Sequence, residues 1–223
     1  SSKTERGSFE TVWKITGRDK GFKMQFYPSL AYIFIFIFIF VFKSGKDAMT
    51  LWNNLSTTTM FLFFLYMPMF SIAGSMTFIT TSENFQASWI YQSTPVAKPG
   101  HLISGGLKMI VVKFFMIIYL LMFAFALYVW GISIVDDFIL GFFNNMLLFL
   151  LMTNLSDHYL PFSRQLNTKQ QTGKFVQTLL QMLLIAALVG LHYLVTWNNW
   201  LPLVILPFSA AACYLLLKRI QNL

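Results

Sequence analysis

The sequence predicts an all-α, polytopic membrane protein: a bundle of six transmembrane helices that follows an amphipathic N-terminal segment. Of the 223 residues, 57% are hydrophobic and only 11% are charged, whereas about 25% of the residues in soluble domains are charged. The apolar residues fall into six runs, and a membrane-crossing helix needs about 20 mainly apolar residues. The segments between the runs are alternately rich and poor in lysine and arginine, which is typical of membrane proteins.

The first predicted domain, residues 1–26, is a basic cytoplasmic segment. Phe9, Val12 and Trp13 have the i, i+3, i+4 spacing of one helical face. We expect a helix that lies on the anionic inner leaflet. A solvated, disordered segment is the alternative, because Gly17 and Gly21 disfavour a continuous helix. The start at Ser1 lacks a charged-then-apolar leader, so we expect a processed chain or a part of a longer one.

The second predicted domain, residues 27–223, holds the six spans. They cover residues 27–42, 57–78, 109–130, 138–155, 176–195 and 201–217. The first span alternates Ile and Phe over residues 33–40; a strand there would leave unpaired edges in lipid, so a helix is predicted. Only residues 196–200 join the last two spans, which predicts an antiparallel helical hairpin with Trp197 and Trp200 in the interfacial belt.

The basic residues predict the orientation in the cell membrane. Fourteen of the 16 lysines and arginines lie on the side of both termini, and only Lys43 and Lys46 lie on the other. Positive charge stays on the cytoplasmic side, so both termini are expected in the cytoplasm. Because the basic residues lie between apolar runs rather than on one solvated face, a nucleic-acid partner is not expected.

The residues that could carry catalysis are few. His101, His158 and His192 lie on separate segments without metal-ligand spacing, and no glycine loop of the kind that cradles phosphates is present. We therefore expect no catalytic residue, no metal and no cofactor in this chain. Asp136 and Asp137 are adjacent carboxylates in a short outer loop, where solvated side chains are the expectation.

Three asparagines within the spans, Asn144, Asn145 and Asn154, are the most polar side chains at depth. Amides in lipid need partners, so hydrogen bonds between helices are the favoured interpretation and contact with a substrate is the alternative. Charge is almost absent from the spans, which argues against an ion-coupled pump.

The cytoplasmic loop of residues 78–108 is predicted to contain a short amphipathic helix. Thr80 and Glu83 fit a capping box, Phe85 and Trp89 form an aromatic ridge at i, i+4, and Pro95 ends the helix. An exposed aromatic ridge needs a partner, either the membrane interface or another protein.

Two segments resemble a known family. The pattern Ala87–Ser88–Trp89–Ile90–Tyr91, followed by Pro95, Pro99–Gly100, Gly105–Gly106 and Lys108, resembles the central loop of bacterial ATP-binding-cassette (ABC) exporter permeases of the second type. Leu160–Pro161–Phe162–Ser163 is similar to a recurring segment of the same group. The six spans and the amphipathic N-terminal segment also fit, and related proteins can be longer, so the chain would be a permease subunit or its C-terminal part.

The resemblance implies a division of labour. This chain would bind no ATP, and a partner ATPase subunit or domain would hold ATP and Mg²⁺. Two transmembrane domains would pair within membrane lipid. Residues 83–92, and possibly the loop of residues 157–174, would dock on the ATPase; the expected coupling residues are Glu83, Phe85, Trp89, Tyr91 and Pro95.

Two other functions remain open from the sequence. An integral membrane enzyme acting on lipid or isoprenoid substrates would use Asp157, His158 and Arg164 at the inner interface, although no acidic metal-binding motif supports it. A membrane scaffold or assembly protein would need no reactive residue. The sequence does not indicate which substrate a transporter would carry. Phenylalanine and methionine would suit a pathway for lipid-like or apolar peptide cargo, but any lipid-facing helix uses the same residues.

Overall fold

Helices form nearly all of the regular structure in the computed structural model. It describes residues 2–24, 26–28, 31, 35, 38, 54–72, 75–93, 96, 98–165, 171–198 and 200–223. Within these residues the exception to helix is a two-residue parallel strand pair. Most of the first predicted span, residues 27–42, lies outside the described residues.

Helix α1 (Lys3–Arg18) starts at a serine cap, since Ser2 Oγ accepts a hydrogen bond of 3.2 Å from the Glu5 N–H. Its buried face differs from the predicted one, because Trp13 is 40% exposed. Three polar side chains and one apolar side chain form the buried face instead: Glu5, Ser8, Val12 and Thr16. The hydrophobic spacing alone therefore does not identify the side on which α1 packs.

The partner of α1 is helix α5 (Gly100–Ile110). Ser8 Oγ donates a hydrogen bond of 2.6 Å to the Leu102 carbonyl oxygen. A Cβ atom at Gly105 would overlap the carbonyl oxygen of Glu5 and lie 2.8 Å from Ser8 Cβ. The absence of a side chain at this position therefore allows the two helix backbones to approach closely.

Glu5 is buried, with 1% of its surface exposed, between three donors. Its Oε1 accepts hydrogen bonds from Ser104 Oγ at 2.8 Å, Lys108 Nζ at 2.8 Å and Gln221 Nε2 at 3.0 Å. Burial by itself raises the pKa of Glu5, but these hydrogen bonds and the charge of Lys108 outweigh it and hold the pKa below its ordinary value of 4.5. The ionised carboxylate thus joins α1 to α5 and to the C-terminal end of the chain.

Acid is therefore expected to loosen α1. A group whose pKa is lowered by folding contributes stability above its unfolded value, and that contribution is lost as pH falls through the folded value. We expect the hydrogen-exchange protection of residues 3–18, corrected for intrinsic rates, to fall between about pH 5 and pH 3. Glu10→Gln, on the exposed face of α1, should keep this step, whereas Glu5→Gln should remove it; a step that survives Glu5→Gln would contradict the assignment.

The predicted second span, residues 57–78, corresponds to two described helices. Helix α2 (Phe61–Ile72) is apolar throughout and buries Leu65, Tyr66 and Met69. Helix α3 (Ser75–Thr80) follows it. Further along, helix α4 (Ile90–Ser93) precedes α5.

The third predicted span, residues 109–130, is part of a longer helix. After α5 the chain makes a π turn at Val111–Phe115 and continues as helix α6 (Met116–Trp130), so that 31 residues form one rod. Lys113 in the π turn donates to the Trp13 carbonyl oxygen at 2.8 Å and to Thr16 Oγ1 at 2.9 Å. The last turn of α1 is thereby attached to this rod. Gly131, with a φ of 76°, ends it.

The last three helices complete the bundle. Helix α7 (Val135–Leu155) starts three residues before the predicted fourth span, and a short turn joins helices α8 (Gln171–Val195) and α9 (Leu201–Gln221). Within the described residues these two helices pack mainly on other helices rather than on each other, so the packing of the predicted hairpin is not observed. The turn between them exposes Trp197 and Trp200. Helix α9 packs along α7, and α8 contacts α2 and α7.

Three helices of the described part are long and apolar enough to cross a membrane. They span Gly100–Trp130, Ile132–Leu155 and Leu201–Gln221. Shorter apolar helical stretches cover Phe61–Phe70 and Met182–Val195. The prediction of a mostly helical chain with membrane-crossing helices is thus confirmed by length and composition, whereas the six-span arrangement goes beyond these helices.

Both chain termini and two loops meet at one end of the bundle. Strand β1 (Thr81–Ser82) pairs in parallel with β2 (Arg164–Gln165), and the Phe162 N–H donates to the Ile79 carbonyl oxygen at 2.7 Å. The bond from Gln221 to Glu5 joins the C-terminal end of α9 to α1. The end that the sequence predicts to be cytoplasmic is therefore held together by contacts between segments far apart in sequence.

Candidate functional site

The first candidate site is the exposed loop between α3 and α5. A 3₁₀ helix, Phe85–Trp89, leads directly into α4, so the predicted short helix is present as two turns. The predicted capping box at Thr80 is wrong, because Thr80 ends α3. At the beginning of the loop, Ser82 Oγ instead accepts a hydrogen bond of 3.1 Å from the Asn84 N–H.

Trp89 is the most prominent side chain of this loop. It is 64% exposed, and the adjacent Ile90 is also exposed. Phe85 and Tyr91 are half-buried. Glu83, another of the expected coupling residues, is exposed at the start of the loop. Pro95, the fifth of these residues, lies outside the described residues. A large exposed indole in a loop between two apolar helices is a feature typical of an interaction surface.

The base of this loop is attached to the second loop that the resemblance implicates. The pairing of Thr81 with Arg164 and of Ser82 with Gln165 is made by backbone groups. Pro161 and Phe162, from the second segment that carries the resemblance, are buried beside it. The two loops therefore form one connected unit.

The second candidate site is a buried chain of polar side chains that links three helices. His192 of α8 contacts Tyr66 of α2 through Nδ1, at 2.7 Å from the hydroxyl, and Asp137 of α7 through Nε2, at 3.2 Å from Oδ1. Asn144 of α7 donates to the Tyr66 hydroxyl oxygen at 3.0 Å. His192 is 2% exposed and Asp137 is 8% exposed, so this cluster is shielded from solvent.

The donor and acceptor capacity of each side chain indicates how the hydrogen bonds in this row of polar side chains are directed. The NH2 group of Asn144 can only donate, so the Tyr66 oxygen accepts and its own proton is available for His192 Nδ1. An ionised Asp137 can only accept, so Nε2 carries the imidazole proton. A neutral His192 thus satisfies both neighbours, with every donor directed from Asn144 towards Asp137. Such an arrangement can fix three helices relative to one another.

Comparison of the chain with protein-family models, with curated proteins and with solved structures gives no match. Residue chemistry and geometry are therefore the grounds for assigning a function.

The other predicted intramembrane contacts also join helices. Asn145 is fully buried, and its Nδ2 donates to the Leu65 carbonyl oxygen of α2 at 3.1 Å. Asn154 Nδ2 donates within α7 to Leu150 at 2.9 Å and lies 3.5 Å from the Leu216 carbonyl oxygen of α9. These distances fit hydrogen bonding between helices; contact of the asparagines with a substrate stays a prediction.

The expectation of solvated carboxylates at Asp136 and Asp137 is wrong for Asp137. It lies in the first turn of α7, and its partner His192 is 55 residues away in sequence. Tyr66 was also missed as a site residue. A signal for Asp137 was present, because Asp137, Gly141, Asn144 and Asn145 share the i, i+4, i+7, i+8 spacing of one helix face.

Two of the three residues of the alternative enzyme hypothesis are linked through Tyr159. Its hydroxyl donates to Asp157 Oδ2 at 3.5 Å, and Arg164 lies over its ring, 4.0 Å from the centroid. Asp157 and His158 are exposed. Among the residues that the structure describes, His158 makes no hydrogen bond to Asp157 or Arg164. Within the same residues, no three histidine, cysteine or acidic side chains group closely enough to hold a metal ion.

Proposed function

We propose that this chain is the membrane-spanning subunit of an ABC-type exporter, which moves a substrate across the cell membrane with ATP hydrolysed by a partner. The observation that carries the proposal is the exposed Trp89 on a short helical loop between two apolar helices. The motif resemblance around Trp89 and Pro161 supports the same function. The enzyme alternative has weaker support, since Asp157 and His158 are exposed and, among the described residues, His158 makes no hydrogen bond to Asp157 or Arg164.

In this proposal the loop of residues 83–93 receives the movement of the ATPase. The indole of Trp89 would enter a pocket of the partner, because aromatic side chains dominate such contacts. The β1–β2 pair would share the displacement between the ends of α3 and α7. From there α2 and α7 reach the polar chain that contains Tyr66 and Asp137, so rocking of these helices would alter the interior of the bundle.

The arrangement in the membrane is part of the proposal. Six spans with both termini in the cytoplasm account for the distribution of basic residues, with 14 on one side and two on the other. Two such transmembrane domains would pair in the lipid. The partner ATPase would bind ATP and Mg²⁺, and nucleic acid has no part in the function.

Replacement of Trp89 by alanine is expected to uncouple the chain from its partner. Loss of a central interfacial tryptophan costs about 2 kcal/mol or more, roughly a thirtyfold loss of affinity. The chain would be tagged and purified from native membranes in mild detergent, and the co-purified, vanadate-sensitive ATPase activity measured. We expect Trp89→Ala to remove most of this activity while the chain remains folded.

The matched control is Trp197→Ala, since Trp197 is at least as exposed as Trp89 but lies in the α8–α9 turn. It should retain the ATPase. If the wild-type chain purifies without an ATPase, or if Trp89→Ala and Trp197→Ala behave alike, the proposal fails. His158→Ala should have no effect on the ATPase complex; an intact complex that loses its cellular function in this variant would favour the interfacial enzyme.

A further inference from the structure

A groove opens between α1, α5, α7 and α9. Its volume is about 670 Å³, within the range of roughly 300–1,000 Å³ that is usual for ligand sites. Most of its wall is apolar and includes Val111 and Val112 of the π turn, Met146 of α7 and Leu217 of α9. These residues belong to the three helices that are long and apolar enough to cross a membrane. The apolar part of the groove therefore favours a hydrocarbon chain as its ligand.

The mouth of the groove is charged and electrically balanced. Glu5, Arg6 and Glu10 come from α1, and Lys108 comes from α5. Arg6 and Glu10 are 3.0 Å apart, Lys108 and Glu5 are 2.8 Å apart, and Arg6, Glu10 and Lys108 retain exposed side-chain surface. With two cations and two carboxylates, the mouth favours a headgroup that carries both charges over one with a net charge.

Glu5 adds an acceptor that lacks a donor. Within the part of the chain that the structure describes, Glu5 Oε2 is buried and has no hydrogen-bond partner, although Oε1 has three. A buried carboxylate oxygen without a donor is costly. A ligand that brings an N–H donor to this mouth is therefore favoured over one that does not.

We infer that this groove binds one membrane phospholipid with a zwitterionic headgroup that ends in a primary ammonium, as in phosphatidylethanolamine. The phosphate lies beside Arg6 and Lys108, and the ammonium donates to the carboxylates of Glu10 and Glu5. An acyl chain follows the apolar wall towards Val112. The lipid thereby stabilises α1 against the bundle. This inference does not depend on the proposed function.

The test uses the full chain, purified with any bound partner, delipidated in mild detergent and supplied with single lipids. Native mass spectrometry measures retention of phosphatidylethanolamine, phosphatidylcholine and phosphatidylglycerol. Cys213 is the chain's single cysteine and lines the groove, so its rate of alkylation reports occupancy. We expect one retained phosphatidylethanolamine, about tenfold preferred over the other two lipids because each lacks the ammonium donor, and slower alkylation of Cys213 in its presence.

Two variants remove different parts of the site. Glu10→Gln removes an exposed carboxylate of the mouth, and Val112→Trp, at a half-exposed position, fills the wall; each should lower retention about tenfold. Lys14→Gln, on the exposed face of α1, is the matched control and should retain the lipid. Equal retention of the three lipids, retention in Val112→Trp at the wild-type level, or alkylation of Cys213 that ignores phosphatidylethanolamine would each overturn the inference.

Discussion

Substitution of Gly105 by alanine is expected to detach α1 from the rest of the protein. The added Cβ would overlap the Glu5 carbonyl oxygen and lie 2.8 Å from Ser8 Cβ. Because the overlapped atom belongs to a helix backbone, side-chain rotation cannot relieve the contact. Overpacking of this kind costs about 1–3 kcal/mol, and the displacement also breaks the hydrogen bond from Ser8 to Leu102.

Hydrogen exchange of residues 3–18, followed by mass spectrometry, measures this effect. In Gly105→Ala the amides of α1 should exchange close to the rate of an isolated helix, while those of α7 and α9 keep their protection. Gly7→Ala is the matched control, since no atom lies within 4 Å of its added Cβ. It should increase protection by up to about 1 kcal/mol through helix propensity. Unchanged exchange of α1 in Gly105→Ala would show that the helices can separate slightly at little cost.

Removal of the imidazole of His192 is expected to destabilise the membrane bundle most. His192→Leu leaves the buried Asp137 carboxylate without its donor and the Tyr66 hydroxyl without its acceptor. Leaving a buried group without its hydrogen-bond partner costs about 1–3 kcal/mol, and more when the group is charged, whereas the average hydrogen bond between membrane helices contributes only about 0.6 kcal/mol. The larger cost applies here because the group that loses its donor is a buried carboxylate.

The double variant His192→Leu/Asp137→Leu separates these two contributions. Since it removes the orphaned carboxylate as well, it should be more stable than His192→Leu alone. Asp137→Asn should cost less than His192→Leu, and Asp136→Asn, at the neighbouring carboxylate outside the polar chain, should cost nearly nothing. Thermal unfolding in one detergent ranks the four variants. If the double variant were the least stable, the contribution of the pair would be ordinary packing rather than the hydrogen bond to a buried carboxylate.

The sequence predicted what depends on local composition. The apolar runs around Met116–Trp130, Val135–Leu155 and Leu201–Gln221 were assigned to helices because their length and hydropathy suffice without knowledge of any partner. The short turn between α8 and α9 followed in the same way from a link of five residues, whereas the packing of these two helices on each other was not observed, since α9 lies along α7.

What the sequence could not predict depends on contacts between distant segments. Gly105 and Gly106 were predicted to lie in a loop before a span that starts at residue 109. The helix instead starts at Gly100, and α1 packs on these two glycines. The buried face of α1 was misassigned for the same reason, since its partner offers polar and small groups rather than an apolar surface. Asp137 looked like a loop residue until its contact with His192 was known. No local pattern contains these pairings.

The π turn at Val111–Phe115 has a consequence for insertions and deletions. A π turn holds one residue more than the same stretch of α-helix, and each residue of an α-helix rotates the next by about 100°. If all of these residues formed a regular α-helix instead, every side chain from Met116 to Trp130 would be rotated by about 100°, and Tyr119 could not reach the Phe138 carbonyl oxygen of α7. A homologue with a one-residue gap at this position is therefore expected to lack the π turn and still to present the same neighbours along this half of the helix.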